Sequence, residues 1–426
     1  MEDVKWFVRK WGVLFLVLVL MVIAAGVYAG TKGTGKKCSV EEVWEPPVII
    51  SGNEEKKAET EDMVGTSSES ALWFIPQAEE CLISEKEKDE IKELALLAAE
   101  QVKGVYKDTI IENDIPYSSN IKNFTEEQCK RVVSLLGKAG FASVTENYNM
   151  ENGKQVEEFY AHYLNKEDAM VTVFEVYRDG LIGVNTFVYR SGKIQTYYVG
   201  IGWMPKGIPE LESEVVSDIA EIKLTEKGYF IYAHEIVIAH ASLRQYFRVK
   251  PLSAERRELS RKYLSGLDYQ MYNMLVVDWD RDNVTDILMP GLFDDLYRMY
   301  TGENLKFPDD KIPADIFEEV MMTYLPVSIQ QLREHYQYDD KTDSYWHEQI
   351  FTSPYPPFGE IIEYHYNDDG TITLFADAVW ADYNSDIAFT NEIVIQPLEN
   401  GKWRYLSNHV EEKELELPPI ARVRGR

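Results

Sequence analysis

The sequence predicts an α+β protein held at a membrane: a single N-terminal transmembrane helix, then helices and two antiparallel β-meanders. Three observations carry that expectation. An uncharged apolar run from Trp11 to Tyr28 has no counterpart elsewhere in the 426 residues, and roughly 20 such residues cross a bilayer core of about 30 Å as one helix. Apolar residues recur at helical spacing in two stretches, after Ser84 and after Leu252. Each stretch gives way to alternating apolar runs broken by Gly-, Asn- and Asp-rich turns, the pattern of hairpin-linked strands.

The N-terminal run has a competing reading as a cleaved signal peptide, since Lys5, Arg9 and Lys10 precede it and Val27, Tyr28 and Ala29 could form a cleavage site. Signal-peptide apolar cores are about 7 to 15 residues long, so the length favours a retained anchor. Basic residues flank both ends, Lys32, Lys36 and Lys37 on the far side. Orientation is therefore argued from the long body, which a first span normally carries across the membrane. This places the N-terminus in the cytoplasm and the body outside, as a single-pass membrane protein, or as a secreted one if the segment is cleaved. Residues 31–70 are polar and charged with a Pro pair, and read as a disordered linker. At its start, Gly30, Gly35 and Lys36 match the opening of a phosphate-binding loop, but Lys37 stands where the metal-binding Ser or Thr belongs and no strand precedes the run.

The body divides at about residue 250. In 71–250, Ser84 and Glu87 form a capping box before DEIKELALLAAEQVKGVY, and Thr125 and Gln128 form a second before CKRVVSLLGKAGF, with Gly140 as its stop. A short helix near Val156–Tyr163 leads into MVTVFEVY, IGVNTFVY and IQTYYVGIGW, separated by Arg178-Asp179-Gly180 and Ser191-Gly192-Lys193. AEIKL and YFIYAHEIVI extend this meander. In 251–410, helices are expected at SAERRELSRKYL, LFDDLYRMY and ADIFEEVMMTYL, the last bounded by Pro313 and Pro326. GEIIEYHY, TITLFADAVWADY, AFTNEIVIQPL and KWRYLSNHV then make a second antiparallel sheet, before a charged tail at 411–426.

Composition narrows the function classes. With 45% apolar and 12% aromatic residues the chain can build a large core, and its formal charge of −28 disfavours nucleic acid and anionic lipid as partners of the body. Three cysteines are too few for a disulfide scaffold. Cys81 with Cys129 is the only plausible pair, and reduced thiols remain an equal reading. Cys38 follows Gly35, Lys36 and Lys37, which does not suit lipid attachment.

NMENGKQVEEFYAHYLNKEDAMVTVFEVYRDG, RVKPLSAERRELSRKYL, VVDWDRDNVTD, TYLPVSIQQLR and the stretch from PFGEIIEYHY to KWRYLSNHV resemble an uncharacterised family of unknown function from Gram-positive anaerobic bacteria. The similarity covers about residues 80 to 410. It implies a membrane-anchored or secreted extracytoplasmic protein and assigns no catalytic residue.

Few residues propose chemistry of their own. Asp278, Asp280, Asp282 and Asp286 occupy positions 1, 3, 5 and 9 of a calcium-type loop, the hard oxygen ligands that calcium takes. Asn283 stands where that loop needs Gly and Met289 where it needs a bidentate Glu, so a capped acidic turn is the plainer reading. The seven histidines show no HExxH, and no G-x-S-x-G elbow is present. Among the nine tryptophans, Trp203 in GIGWMPKG and Trp346 in SYWHEQ lie in loop-like contexts and are the candidates for stacking on a ligand. The expectation is a non-catalytic, membrane-tethered module binding an envelope protein or glycan; the alternative is an envelope hydrolase acting on glycan or peptide through carboxylates.

Overall fold

Both capping boxes are formed. Ser84 Oγ accepts from the Glu87 amide, the Glu87 carboxylate accepts from the Ser84 amide, and Thr125 and Gln128 repeat the arrangement. They start α1 (Glu85–Tyr106) and α2 (Glu126–Lys138). The structure is a computed structural model. It describes residues 78 to 415 except 79, 110–120, 205–206, 236–243, 268, 270–273, 308–309 and 349–354. These residues fall in the compact unit Met63–Arg426. Among them no helix is long and apolar enough to cross a membrane. The Trp11–Tyr28 run, the linker 31–70 and Cys38 lie outside the described residues.

The chain is mixed α and β with mainly antiparallel strands, as the sequence predicts. A seven-stranded sheet runs in chain order: β1 (Ala142–Thr145), β2 (Ala169–Val176), β3 (Ile182–Arg190), β4 (Lys193–Met204), β5 (Ile208–Leu224), β6 (Tyr229–His234) and β7 (Arg244–Arg248). It is not a pure antiparallel meander. β1 pairs parallel to β2, and α3 (Lys154–Asn165) is the crossover that such a pair requires. The four-residue ASVT carries no alternation and no turn signal, so periodicity could not find it.

The sheet is strongly curled. Strands lie about 4.8 Å apart, so a flat sheet would hold β3 and β6 about 14 Å apart. Instead the rings of Phe187 and Phe230 approach to 5.2 Å. α3 fills the hollow with Val156 and Phe159, packed against Phe187, Phe230 and Phe247. α1 and α2 cover the outer face, where Ala98, Val102, Val132 and Leu136 meet Val184, Val199 and Trp203.

The remaining helices are α4 (Ala254–Tyr263), α5 (Leu292–Thr301), α6 (Ala314–Tyr324) and α7 (Ile329–His335). They pack on a four-stranded antiparallel sheet of β11 (Phe358–Tyr366), β12 (Ile372–Val379), β13 (Phe389–Pro397) and β14 (Trp403–Glu412). α7 and a small sheet of β8 (Lys311–Pro313), β9 (Tyr338–Asp339) and β10 (Ser344–Trp346) were not expected. Strands of two or three residues are too short to show a period.

A polar seam ties the two large sheets. Arg248 on β7 and Tyr229 on β6 both meet the buried Glu360 carboxylate on β11, the tyrosine hydroxyl at 2.5 Å. Lys227 pairs with Asp377, and the Arg244 guanidinium and Lys223 ammonium donate to the carbonyls of Asp382 and Asn384 at 2.8 Å each. Taking these charges out of water is costly, and their geometry is what offsets it.

Candidate binding pocket

The sequence-predicted candidates do not come together. Trp203 is a correction: it lies in β4, not in a loop, is only 2% exposed, and stacks on Tyr106 at 4.1 Å. The glycines that made its context look loop-like mark a bulge. A side chain at Gly200 would meet Ser213 Oγ at 2.5 Å and one at Gly202 would meet Glu212 Oε2 at 2.8 Å, with the register slipping between Gly200 and Ile201. Trp346 is also in a strand, β10, but remains 47% exposed, with the Lys311 ammonium 4.5 Å from its ring centre.

The acidic run is a hydrogen-bonded turn. Asp278 accepts from the Val410 amide at 2.7 Å and meets His409 Nδ1 at 3.0 Å. The Asp280 carboxylate accepts from the Asp282 amide, and the Asn283 side chain closes the loop onto the Asp280 amide at 2.7 Å. A 3-10 turn, Val284–Ile287, follows. Among the described residues, no three His, Cys, Asp or Glu side chains are placed to share a metal ion. Cys81 and Cys129 are free rather than bridged. Cys81 is exposed, while burial pushes the Cys129 thiol up to about 11.

A pocket of about 250 Å³ opens instead where α4 and α5 end beside the start of β14. Ser253 caps the start of α4, and Arg261 and Lys262 occupy its last turn. α5 contributes Arg298 and Met299; its end is set by Gly302, whose N–H donates to the Arg298 carbonyl. Trp403 forms the wall, held edge-on by Tyr263 at 5.1 Å and by Tyr324 at 5.4 Å. Ser265 and Gly266 complete the lining. A side chain at Gly266 would strike Met299 Cγ at 2.1 Å, so glycine is what lets α5 close against this turn.

The lining holds three cations and no carboxylate. Arg261 is engaged by Glu258 at 2.6 Å, which raises its already high pKa. Arg298 is 3.8 Å from Asp295 and donates Nε–H to Asn304 at 3.3 Å. The Lys262 ammonium lies over the rings of Tyr263 and Trp403, at 4.8 and 5.5 Å, without a salt bridge among the described residues. Basic groups in a last turn also compensate the negative helix end, about half a charge. That role accounts for part of the arrangement.

Two titratable groups lie elsewhere on the seven-stranded sheet, Glu175 half-buried and His234 buried. The Glu175 carboxyl is pushed up to about 7 by burial, with the Tyr177 hydroxyl at 3.2 Å and the Asn185 amide at 3.4 Å. His234 is pushed down to about 4 by burial, and neither ring nitrogen has a hydrogen-bond partner among the described residues. Sequence reasoning missed the pocket because its residues are spread from 261 to 403. The usable signal was weak: basic last turns, SRKYL and YRMY, in an acidic chain.

No match is found among curated proteins. The model of a family of unknown function, DUF6070, matches residues 87–424, most of the chain, and the protein belongs to that family.

Proposed function

We propose that this protein is a membrane-tethered extracytoplasmic binding module of the bacterial cell envelope, one that holds a ligand without transforming it. The Gram-positive anaerobic setting implied by the resemblance is part of the same proposal. The observation that carries the reading is the character of the pocket. A hydrolase working through carboxylates needs two acids facing one concave site. The lining here is cationic and aromatic, with no acid. The Trp11–Tyr28 run supplies the tether, and the polar stretch 31–70 supplies reach from the membrane surface.

One observation favours a hydrolase: Glu175 retains its proton near neutrality, as a general acid must. Its carboxyl meets a tyrosine and an asparagine, so the partner acid or nucleophile is not supplied at those contacts. Full-length protein in nonionic detergent, incubated with insoluble Gram-positive envelope glycan, tests the two readings. The binding reading expects co-sedimentation with no new reducing ends or free amino groups. Release of either product, lost in Glu175→Gln, would replace it with the hydrolase, and absence of co-sedimentation would remove the glycan as partner.

A further inference from the structure

The strongest local departure from the character of the chain is the sign of this pocket. Across 426 residues acids outnumber bases 72 to 44, yet three bases and no acid line the 250 Å³ space between α4, α5 and β14. We infer that the pocket is a receptor for one small oxyanion, a phosphate or carboxylate group carried by the ligand. The inference rests on the binding-module reading and specifies the chemistry of its site.

Helix-end compensation explains only part of the charge. α4 and α5 each present about half a negative charge at this end, and Glu258 and Asp295 answer Arg261 and Arg298. Both of these pairs leave donors over. A guanidinium carries five N–H groups. Arg261 uses Nε and Nη2 on Glu258, and Arg298 uses Nε on Asn304, with Asp295 at a loose 3.8 Å from Nη1. Lys262 makes no salt bridge among the described residues; the Glu258 carboxyl, lowered chiefly by Arg261, also feels its charge, and its ammonium lies over the faces of Tyr263 and Trp403. An ammonium held over two aromatic faces keeps its hydrogen-bond donors for another acceptor.

The space suits a group rather than a whole polymer. At about 250 Å³ it is smaller than ordinary drug-sized pockets, which begin near 300 Å³. Repulsion from the acidic remainder of the surface would oppose a polyanion laid across the body. A single anionic group entering the pocket escapes most of that repulsion, because charges beyond about 8 Å are screened at physiological salt.

Titration calorimetry on the full-length protein in nonionic detergent at 0.15 M NaCl, with inorganic phosphate and separately with acetate, tests this. The expected result is saturable binding of at least one anion at about millimolar affinity, weakened roughly tenfold or more in both Lys262→Gln and Arg298→Gln. Tighter phosphate identifies a phosphoryl group as the ligand's handle, and tighter acetate a carboxylate. Lys402→Gln is the control. Its ammonium lies over the Tyr300 ring, outside the lining, and should leave affinity unchanged. No saturable heat with either anion, or equal loss in all three variants, would overturn the inference. Because glycan co-sedimentation is read separately, failure here leaves that test to judge the binding module.

Discussion

Glu175 and His234 show how the buried face of one sheet sets the charge of single residues. The Glu175 carboxyl titrates at about 7 in the folded state because burial disfavours its anion, against an ordinary value of 4.5. A raised carboxyl contributes stability below the unfolded value and loses it as pH rises through the folded one. Glu175→Gln should therefore match the parent at pH 4.5 and exceed it at pH 8 by about 2 to 3 kcal/mol in urea unfolding. Equal stability at both pH values would remove the buried-acid account. His234 has the opposite sign of pH dependence. Its folded value of about 4 lies below the ordinary 6.5, so the neutral ring is favoured and stability falls as pH drops through that window. His234→Phe should flatten the acid limb of the stability curve between pH 6.5 and 4. Trp203→Ala should cost about 3 to 5 kcal/mol of stability, as truncation of a fully buried aromatic does, without weakening ligand binding.

At the scale of elements, legibility followed the length of the periodic signal. α1 and α2 were readable to within a residue or two, because Ser84 with Glu87 and Thr125 with Gln128 form capping boxes whose hydrogen bonds are local in sequence. The hairpins at Gly180 and Gly192 were readable for the same reason. β1 was not, since parallel pairing through α3 leaves no local turn, nor were β8 to β10, which are two or three residues long. Trp203 was misread because Gly200 and Gly202 resemble a loop, whereas they admit Ser213 and Glu212 at a bulge. The pocket was invisible because α4, α5 and β14 meet only in space. The seam between the sheets makes a prediction of its own. Glu360→Ala strands the Arg248 guanidinium in a buried site and should cost about 3 to 5 kcal/mol, while Glu360→Leu combined with Arg248→Met should recover much of the loss. A double variant no more stable than the single would show that the pair is not the source of the cost.

For the molecule as a whole, the proposal is a tethered reader rather than a tethered catalyst. One sheet wraps α3, the other carries α4 to α7 with the small cationic pocket, and the charged seam joins the two sheets. The chain's formal charge of −28 disfavours broad polyanion binding. The proposal places the body outside the cytoplasmic membrane. Cys81 gives direct access to that claim, because it is exposed while Cys129 is buried. In a Cys38→Ser background, intact cells expressing the full chain should be treated with a membrane-impermeant maleimide before lysis. The account predicts labelling of Cys81 in intact cells to the same extent as after lysis. Labelling only after lysis would contradict it.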